Sequence, residues 1–339
     1  MKKKVLFVSN TYEGYPNDHI LEAFQNREDV LLSELYSLPL HHKDTIRQKI
    51  FHKCKVPLDL NNLNKDLLKE VEEYDPEIIF IVKGINVYPG TLKKIKMHNK
   101  DSILISWSLD DMYARHNRSF YYTQGLKYYD HVFTTKSYNV AELRSLGAQN
   151  VSFLYQAYSR YMHLNGSLDV AESPKRDVSF VGYADDIRFR TILFLANNGV
   201  KVELAGGTWA NVKYHGHENI SIHARDLIAE EYSDFIRTSK INLGFLRKIN
   251  RDLHTSRSVE IPACGGFLMA ERTGEHQELF RDKEEAVFFD NDQDLLELIK
   301  FYLADDKQRD LIRIGGLKKC HDMDYSYDNM VDKILLRAQ

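Results

Sequence analysis

Residues 251–273, RDLHTSRSVEIPACGGFLMAERT, place Arg257 and Glu260 three apart in an otherwise apolar run. On a helix, residues three apart share a face, so guanidinium and carboxylate come together there. Asp252 or Thr255 supplies an N-cap, and Pro262 limits the helix to about Ala263. The N–H groups at such a start bind anions, and Arg257 adds charge-assisted bonds suited to a diphosphate. Glu260, one turn further in, can accept two hydrogen bonds from a vicinal diol, which makes ribose a natural partner. Asp252 lies eight residues before Glu260, an acidic-x7-acidic spacing. A structural ion pair with ordinary capping uses the same residues, and the residue types leave both readings open.

Other positions offer complementary chemistry. Asp110 and Asp111 follow the apolar run SILISWS over 102–108. Adjacent carboxylates raise one another's pKa, and one could serve as a general base. Capping after a strand is the alternative for either. Glu13 and His19, around the first loop, are further candidates. Gly182 and Tyr183 follow DVSFVG, where a glycine lets backbone approach a ligand. Arg188, Arg190, Arg247 and Lys248 are cations near strand ends, as compatible with phosphate as with solvent. His215, His217 and Glu218 look like a metal fragment without partner spacing, so no metal site is read.

Cys54, Cys264 and Cys320 are odd in number and match no disulfide or metal framework, which predicts a reducing, cytoplasmic setting. No GxGxxG is present, so no dinucleotide cofactor is read. A net charge of −3 gives no basic field for nucleic acid. No apolar run reads as a signal peptide or a membrane span. The basic KKIK over 93–96 is a solvated helix face, with peripheral membrane contact as the lesser reading.

These candidates must be positioned by the elements around them. At 339 residues the chain suits two domains. Short apolar runs, such as KVLFVS and EIIFIV, alternate with amphipathic stretches, the pattern of parallel sheets covered on both faces. The alternation predicts helices over 19–25, 41–55, 61–74, 89–98, 119–129 and 138–146. It breaks at 156–176 and restarts at 177. The expectation is α/β: a doubly wound domain over 1–160, a linker over 161–176, a second doubly wound domain over 177–322, and a C-terminal helix over 323–339 packing back on the first. Ligands of such sheets bind at the carboxyl ends of strands, which places the candidates around a central cleft between the domains.

The run HTSRSVEIPACGGFLMAERTGEHQELF over 254–280 closely resembles the corresponding segment of the CgeB-like glycosyltransferases. So do Phe180-Val181-Gly182, the KINLGF strand at 240–245, and His321 with Tyr325. The resemblance covers 177 to about 336; in the first half it extends only to strand order and the WSLDD turn at 107–111. It implies a GT-B-like fold of two Rossmann-like domains, with a nucleotide-sugar donor, UDP-linked by expectation, held by the second. It also implies that Glu260 binds ribose and that the helix start and Arg257 serve the diphosphate, with Gly182, Tyr183, Arg188, Arg247, Lys248, Asp252, His254, Thr255 and Ser256 around the donor. The related Glu-x7-Glu motif begins here with the shorter Asp252. The expected activity is metal-independent transfer of a sugar to an acceptor hydroxyl, without a cofactor, and the nucleotide sugar is a substrate. A non-catalytic nucleotide- or glycan-binding protein and a DNA-modifying glycosyltransferase are the alternatives. The sequence leaves base, sugar, acceptor, stereochemistry and oligomeric state open.

Overall fold

The short apolar runs form strands, and the strands pair in parallel within two six-stranded sheets. The computed structural model describes residues 2–10, 16–37, 50–51, 53–59, 61–163, 174–212 and 216–337. The chain divides into Met1–Tyr155 with Tyr327–Gln339, and Gln156–Ser326.

The first unit contains β1 (Lys3–Asn10), β2 (Val30–Ser37), β3 (Ile78–Val82), β4 (Ile103–Ser108), β5 (His131–Thr134) and β6 (Val151–Phe153), in the order β2-β1-β3-β4-β5-β6. Its helices are α1 (Pro16–Gln25), α2 (Leu63–Tyr74), α3 (Pro89–His98), α4 (Phe120–Gly125) and α5 (Asn139–Ser145). Strand β3 is buried at every position, as expected of a parallel strand covered on both faces. Helix α2 buries Leu63, Leu67 and Val71, four apart, against that core. Each such side chain contributes roughly 1.5–3 kcal/mol when fully buried.

The second unit contains α6 (Arg160–His163), β7 (Arg176–Val181), α7 (Asp186–Asn197), β8 (Val202–Ala205), β9 (Ile220–His223), α8 (Ala229–Arg237), β10 (Ser239–Gly244), α9 (Ser256–Ala263), β11 (Leu268–Glu271), α10 (Gly274–Leu279), β12 (Val287–Phe289), α11 (Asp292–Ala304) and α12 (Asp306–Asp322). The strand order is β12-β11-β10-β7-β8-β9. Helix α13 (Tyr327–Arg337) belongs to the first unit and packs on α1. Both units are doubly wound α/β, the class expected from the alternation.

Differences from the sequence expectation are local. Most of the helix read over 41–55 lies outside the described residues. The Tyr-rich helix over 119–129 is α4 followed by a 3-10 turn at Leu126–Tyr128. Helix α10 has no counterpart among the helices the sequence predicts; it is six residues long and starts where the Thr273 hydroxyl accepts the His276 N–H.

Strand order reverses between β1 and β3 in the first sheet and between β7 and β10 in the second, and open parallel sheets bind ligands at such reversals. At the second, Ser179 and Asn242 face each other in register and share a 2.8 Å hydrogen bond. Helix α9 hangs from this seam. Its end is fixed by two glycines: Gly265 N–H donates to Pro262 O and Gly266 N–H to Ile261 O, both at 2.9 Å, the paired bonds of a Schellman motif. Gly265 has φ +76°, and a Cβ on Gly266 would stand 2.5 Å from Ile236 Cγ2. Gly265→Ala is therefore expected to cost more than about 1 kcal/mol in urea unfolding, and Gly266→Ala more again. Wild-type stability in both variants would show that this helix end is not fixed by its backbone.

Candidate functional site

The site is built from loops at the carboxyl ends of β7 and β10. After β10 the chain makes a 3-10 turn at Lys248–Asn250 and passes through Arg251 with φ 51°. Asp252 closes this loop: its Oδ2 accepts the Arg247 N–H at 3.2 Å, and its own N–H donates to Arg247 O. Glu271, at the end of β11, braces the same loop by accepting the Leu246 N–H at 2.8 Å and by pairing with Lys248 Nζ. Thr255 then caps α9 in a reciprocal capping box with Ser258.

Within α9 the sequence spacing becomes an ion pair. Arg257 Nη1 lies 2.6 Å from Glu260 Oε2, and the Tyr232 hydroxyl, from α8, donates to the same oxygen at 3.2 Å. Glu260 is only 2% exposed, whereas the Arg257 side chain keeps 32% of its surface. Arg257 also donates to Val181 O at the end of β7 and to Ser256 Oγ, and it stands over the Tyr232 ring. One guanidinium thus ties the end of β7 and the Tyr232 ring of α8 to the helix. Burial works against its charge, but the Tyr232 and Glu260 oxygens outweigh burial and hold its pKa above the ordinary value. Burial also pushes the Tyr232 phenol well up, so it stays a donor.

Two buried histidines hold the start of α9 in place. His254 is 0% exposed. Its Nε2 accepts the Gln156 N–H at 2.9 Å, so Nδ1 carries the proton and donates to Glu275. His276 Nδ1 donates to Glu271 O at 2.6 Å, and its Nε2 faces the Ser258 hydroxyl at 2.7 Å. Burial lowers the His276 pKa to about 4, so it is neutral and locks the capping residue to the neighbouring loop.

The remaining expected donor residues divide by environment. Tyr183 is 45% exposed, with Arg247 over its ring. Gly182 O accepts the Trp209 indole N–H at 2.9 Å. Arg188, in contrast, is buried: it donates to Tyr183 O and Phe245 O, pairs with Asp185 and packs on Phe180. It pins the β7 loop to the end of β10, and burial lowers its pKa. Arg190 donates to Asp186 O on its own helix.

In the first unit Asp110 and Asp111 part company. Asp111 is 0% exposed and accepts the Tyr113 and Ala114 N–H groups and the Asn139 amide; it shapes the turn after β4. Asp110 is half-buried and pairs with Lys83. His19 is buried on α1, its ring 5.9 Å from that of Tyr327. Glu13 and His215 lie outside the described residues. Tyr232, Glu271, Glu275 and His276 were not singled out by the sequence. Only Glu271, an acid ending the apolar run FLMA, carried a local signal. Among the described residues no three His, Cys, Asp or Glu side chains cluster as a metal site, and no helix is long and apolar enough to cross a membrane.

Two Rossmann-like domains with this strand order define the GT-B fold. Residues 188–336 match the model of a glycosyl transferase-like family. No curated protein sequence matches. Among solved structures, Anabaena HepE in complex with UDP and glucose is similar over 99% of this chain and 100% of that one, with a TM-score of 0.62 at 12% identity. An alpha-glucosyltransferase in complex with UDP and a mismatched 13-mer DNA is similar over 99% and 100%, with a TM-score of 0.65 at 14% identity. The N-terminal domain of Candida albicans trehalose-6-phosphate phosphatase is similar over 100% and 97%, with a TM-score of 0.70 at 11% identity.

His276 sets a pH dependence. Its folded pKa, about 4, lies below the ordinary 6.5. Between those values the unfolded chain binds a proton that the native state refuses, so stability falls as pH drops from 6.5 to 4. The full loss is on the order of 3 kcal/mol. Thermal melts across this window should show the fall, and His276→Asn should flatten it. An unchanged slope in a folded variant would assign the acid sensitivity elsewhere.

Proposed function

We propose that the protein is a glycosyltransferase that moves a sugar from a UDP-sugar to an acceptor hydroxyl. The observation that carries this reading is the Arg257–Glu260 pair at the start of α9, beside the strand reversal of the second sheet. The family match over 188–336 includes this helix, and HepE and the alpha-glucosyltransferase were solved with UDP. The finer kinship, to CgeB-like enzymes, is supported by the Arg257-to-Gly266 run RSVEIPACGG.

In this reading the N–H groups at the start of α9, Arg257 and Arg247 offset the diphosphate charge, a task a metal ion performs in other transferases. Glu260 accepts from the ribose diol; a carboxylate has about four acceptor positions, enough to serve Arg257, Tyr232 and a ribose. Tyr183 and Gly182 border the donor. Thr255, Ser256, Asp252, His254 and Arg188 hold the geometry through the bonds described above. In transfer the acceptor oxygen bonds to the anomeric carbon, the bond from that carbon to the diphosphate oxygen breaks, and the acceptor proton passes to a base. Asp110 is the better candidate for the base, because Asp111 is committed to backbone and Asn139.

Glu260→Gln should weaken UDP binding at least about tenfold by calorimetry, and unchanged affinity in the folded variant would remove Glu260 from the ribose. Asp110→Asn should lower turnover of the UDP-sugar about a hundredfold or more with UDP affinity intact. Full activity would transfer the base role to another group.

A further inference from the structure

The basic run over 93–96 lies on helix α3 of the first unit. Helices α2, α3 and α4 connect parallel strands and pack into one core through Leu67, Leu92 and Tyr122, so they form one layer on the sheet. Helices α3 and α4 are direct neighbours: the Tyr88 and Tyr121 rings meet at 4.7 Å, and a Cβ on Gly125 would stand 2.8 Å from Leu92 Cδ1. Thr91, Leu92 and Ile95 turn α3 inward. Lys93 and Lys94 precede Met97 by four and three residues, so the three share the outer face, and all are exposed. Phe120 and Gln124 are the exposed residues of α4, and Lys127 is exposed in the 3-10 turn that continues it.

Two properties set this face apart. The first is charge. Neither Pro89–His98 nor Phe120–Tyr128 contains an aspartate or glutamate. Lys100 extends the cations past the end of α3, and Arg115 and Arg118 extend them into the loop before α4. The neighbouring α2 is different, with Asp66, Glu70, Glu72 and Glu73 against two lysines, and the whole chain carries a net charge of −3. Three acids border the end of α3. Asp130 is taken up by Lys96 at 2.8 Å, Asp75 accepts the Asn99 amide, and Asp101 is exposed next to Lys100 in the chain.

The second property is apolar exposure. Among the described residues the most exposed large apolar side chain is Met97, at 69%, and the most exposed aromatic is Phe120, at 57%. Singly, such residues are ordinary. Here both belong to one pair of lysine-bearing helices. The half-buried Tyr121 and Tyr128 add rings with a polar tip, the residue type that settles at a membrane–water boundary.

We propose that the outer face of α3 and α4 docks on an anionic lipid bilayer. The lysines and arginines meet headgroup phosphates, drawn by the negative surface potential, while Met97 and Phe120 enter the acyl boundary. Charge complementarity alone would also suit a nucleic acid, but a phosphate backbone in water offers Met97 no apolar phase. The chain lies on the bilayer in this arrangement and does not cross it. The docking does not depend on the chemistry of the second unit.

Co-sedimentation of the full chain with vesicles tests this. Binding is expected when phosphatidylglycerol makes up one third of phosphatidylcholine vesicles, and it should weaken as salt rises. The triple variant Lys93→Glu, Lys94→Glu, Lys127→Glu should bind about tenfold or more weakly, and Met97→Ser with Phe120→Ser about fivefold more weakly. Lys201→Glu, Lys300→Glu, Lys318→Glu makes the same charge change on the second unit and should bind within about twofold of wild type. All these side chains are exposed, so the variants should fold, which thermal melts check. The proposal is overturned if the wild type binds neither vesicle, or binds pure phosphatidylcholine equally well. It is also overturned if the first triple variant or the double serine variant binds as wild type, or if the second-unit variant loses as much. Tighter binding of a single-stranded oligonucleotide than of anionic vesicles, lost in the first triple variant, would assign the face to nucleic acid instead.

Discussion

A carboxylate removed from water is the constraint around which the second unit is arranged. Glu260 is almost wholly buried, and Arg257 and Tyr232 supply the opposite charge and the hydrogen bonds that a carboxylate there requires. That requirement fixes three elements at once. Helix α9 must carry both members of the pair on one face, α8 must present Tyr232, and β7 must end where Arg257 can reach Val181 O. The glycine pair after Cys264 stops the helix at the right length. The two buried histidines keep its first turn from shifting. A helix of eight residues has little intrinsic stability. Its position is set by these contacts.

The same logic separates residues that look alike in the sequence. Arg188 and Arg247 are both cations just past a strand end. Arg188 is drawn inward by two carbonyls and the Phe180 ring, whereas Arg247 remains exposed beside Tyr183. Asp110 and Asp111 are neighbours, yet one turns into the loop backbone and the other turns out to Lys83. In each case the discriminating partner is a backbone group or a residue distant in sequence.

This explains what was legible beforehand. The doubly wound class could be read because buried parallel strands leave continuous apolar runs, and IIFIV over 78–82 is such a run. The Arg257–Glu260 contact could be read because a helix converts a spacing of three into proximity. Tyr232 could not, since its bond to Glu260 spans 28 residues and depends on how α8 meets α9. His254 reads as a polar residue near a helix start; only the fold shows that both its nitrogens serve Gln156 and Glu275. Short helix α10 lacks the length over which periodicity becomes a signal.

The order of strands in the second sheet also bears on how this protein can be divided. The family-matched segment begins at residue 188, six residues after β7 and its glycine, and it ends at residue 336, within α13. Strand β7 lies in the interior of the sheet, hydrogen-bonded to β10 on one side and β8 on the other. A fragment cut at the borders of the recognisable segment would therefore contain the telltale residues without the strand that joins the two halves of their sheet. It would also carry a terminal helix whose home is the other unit. The stretch that matches the family model and the stretches that pack as compact units are different pieces of the chain.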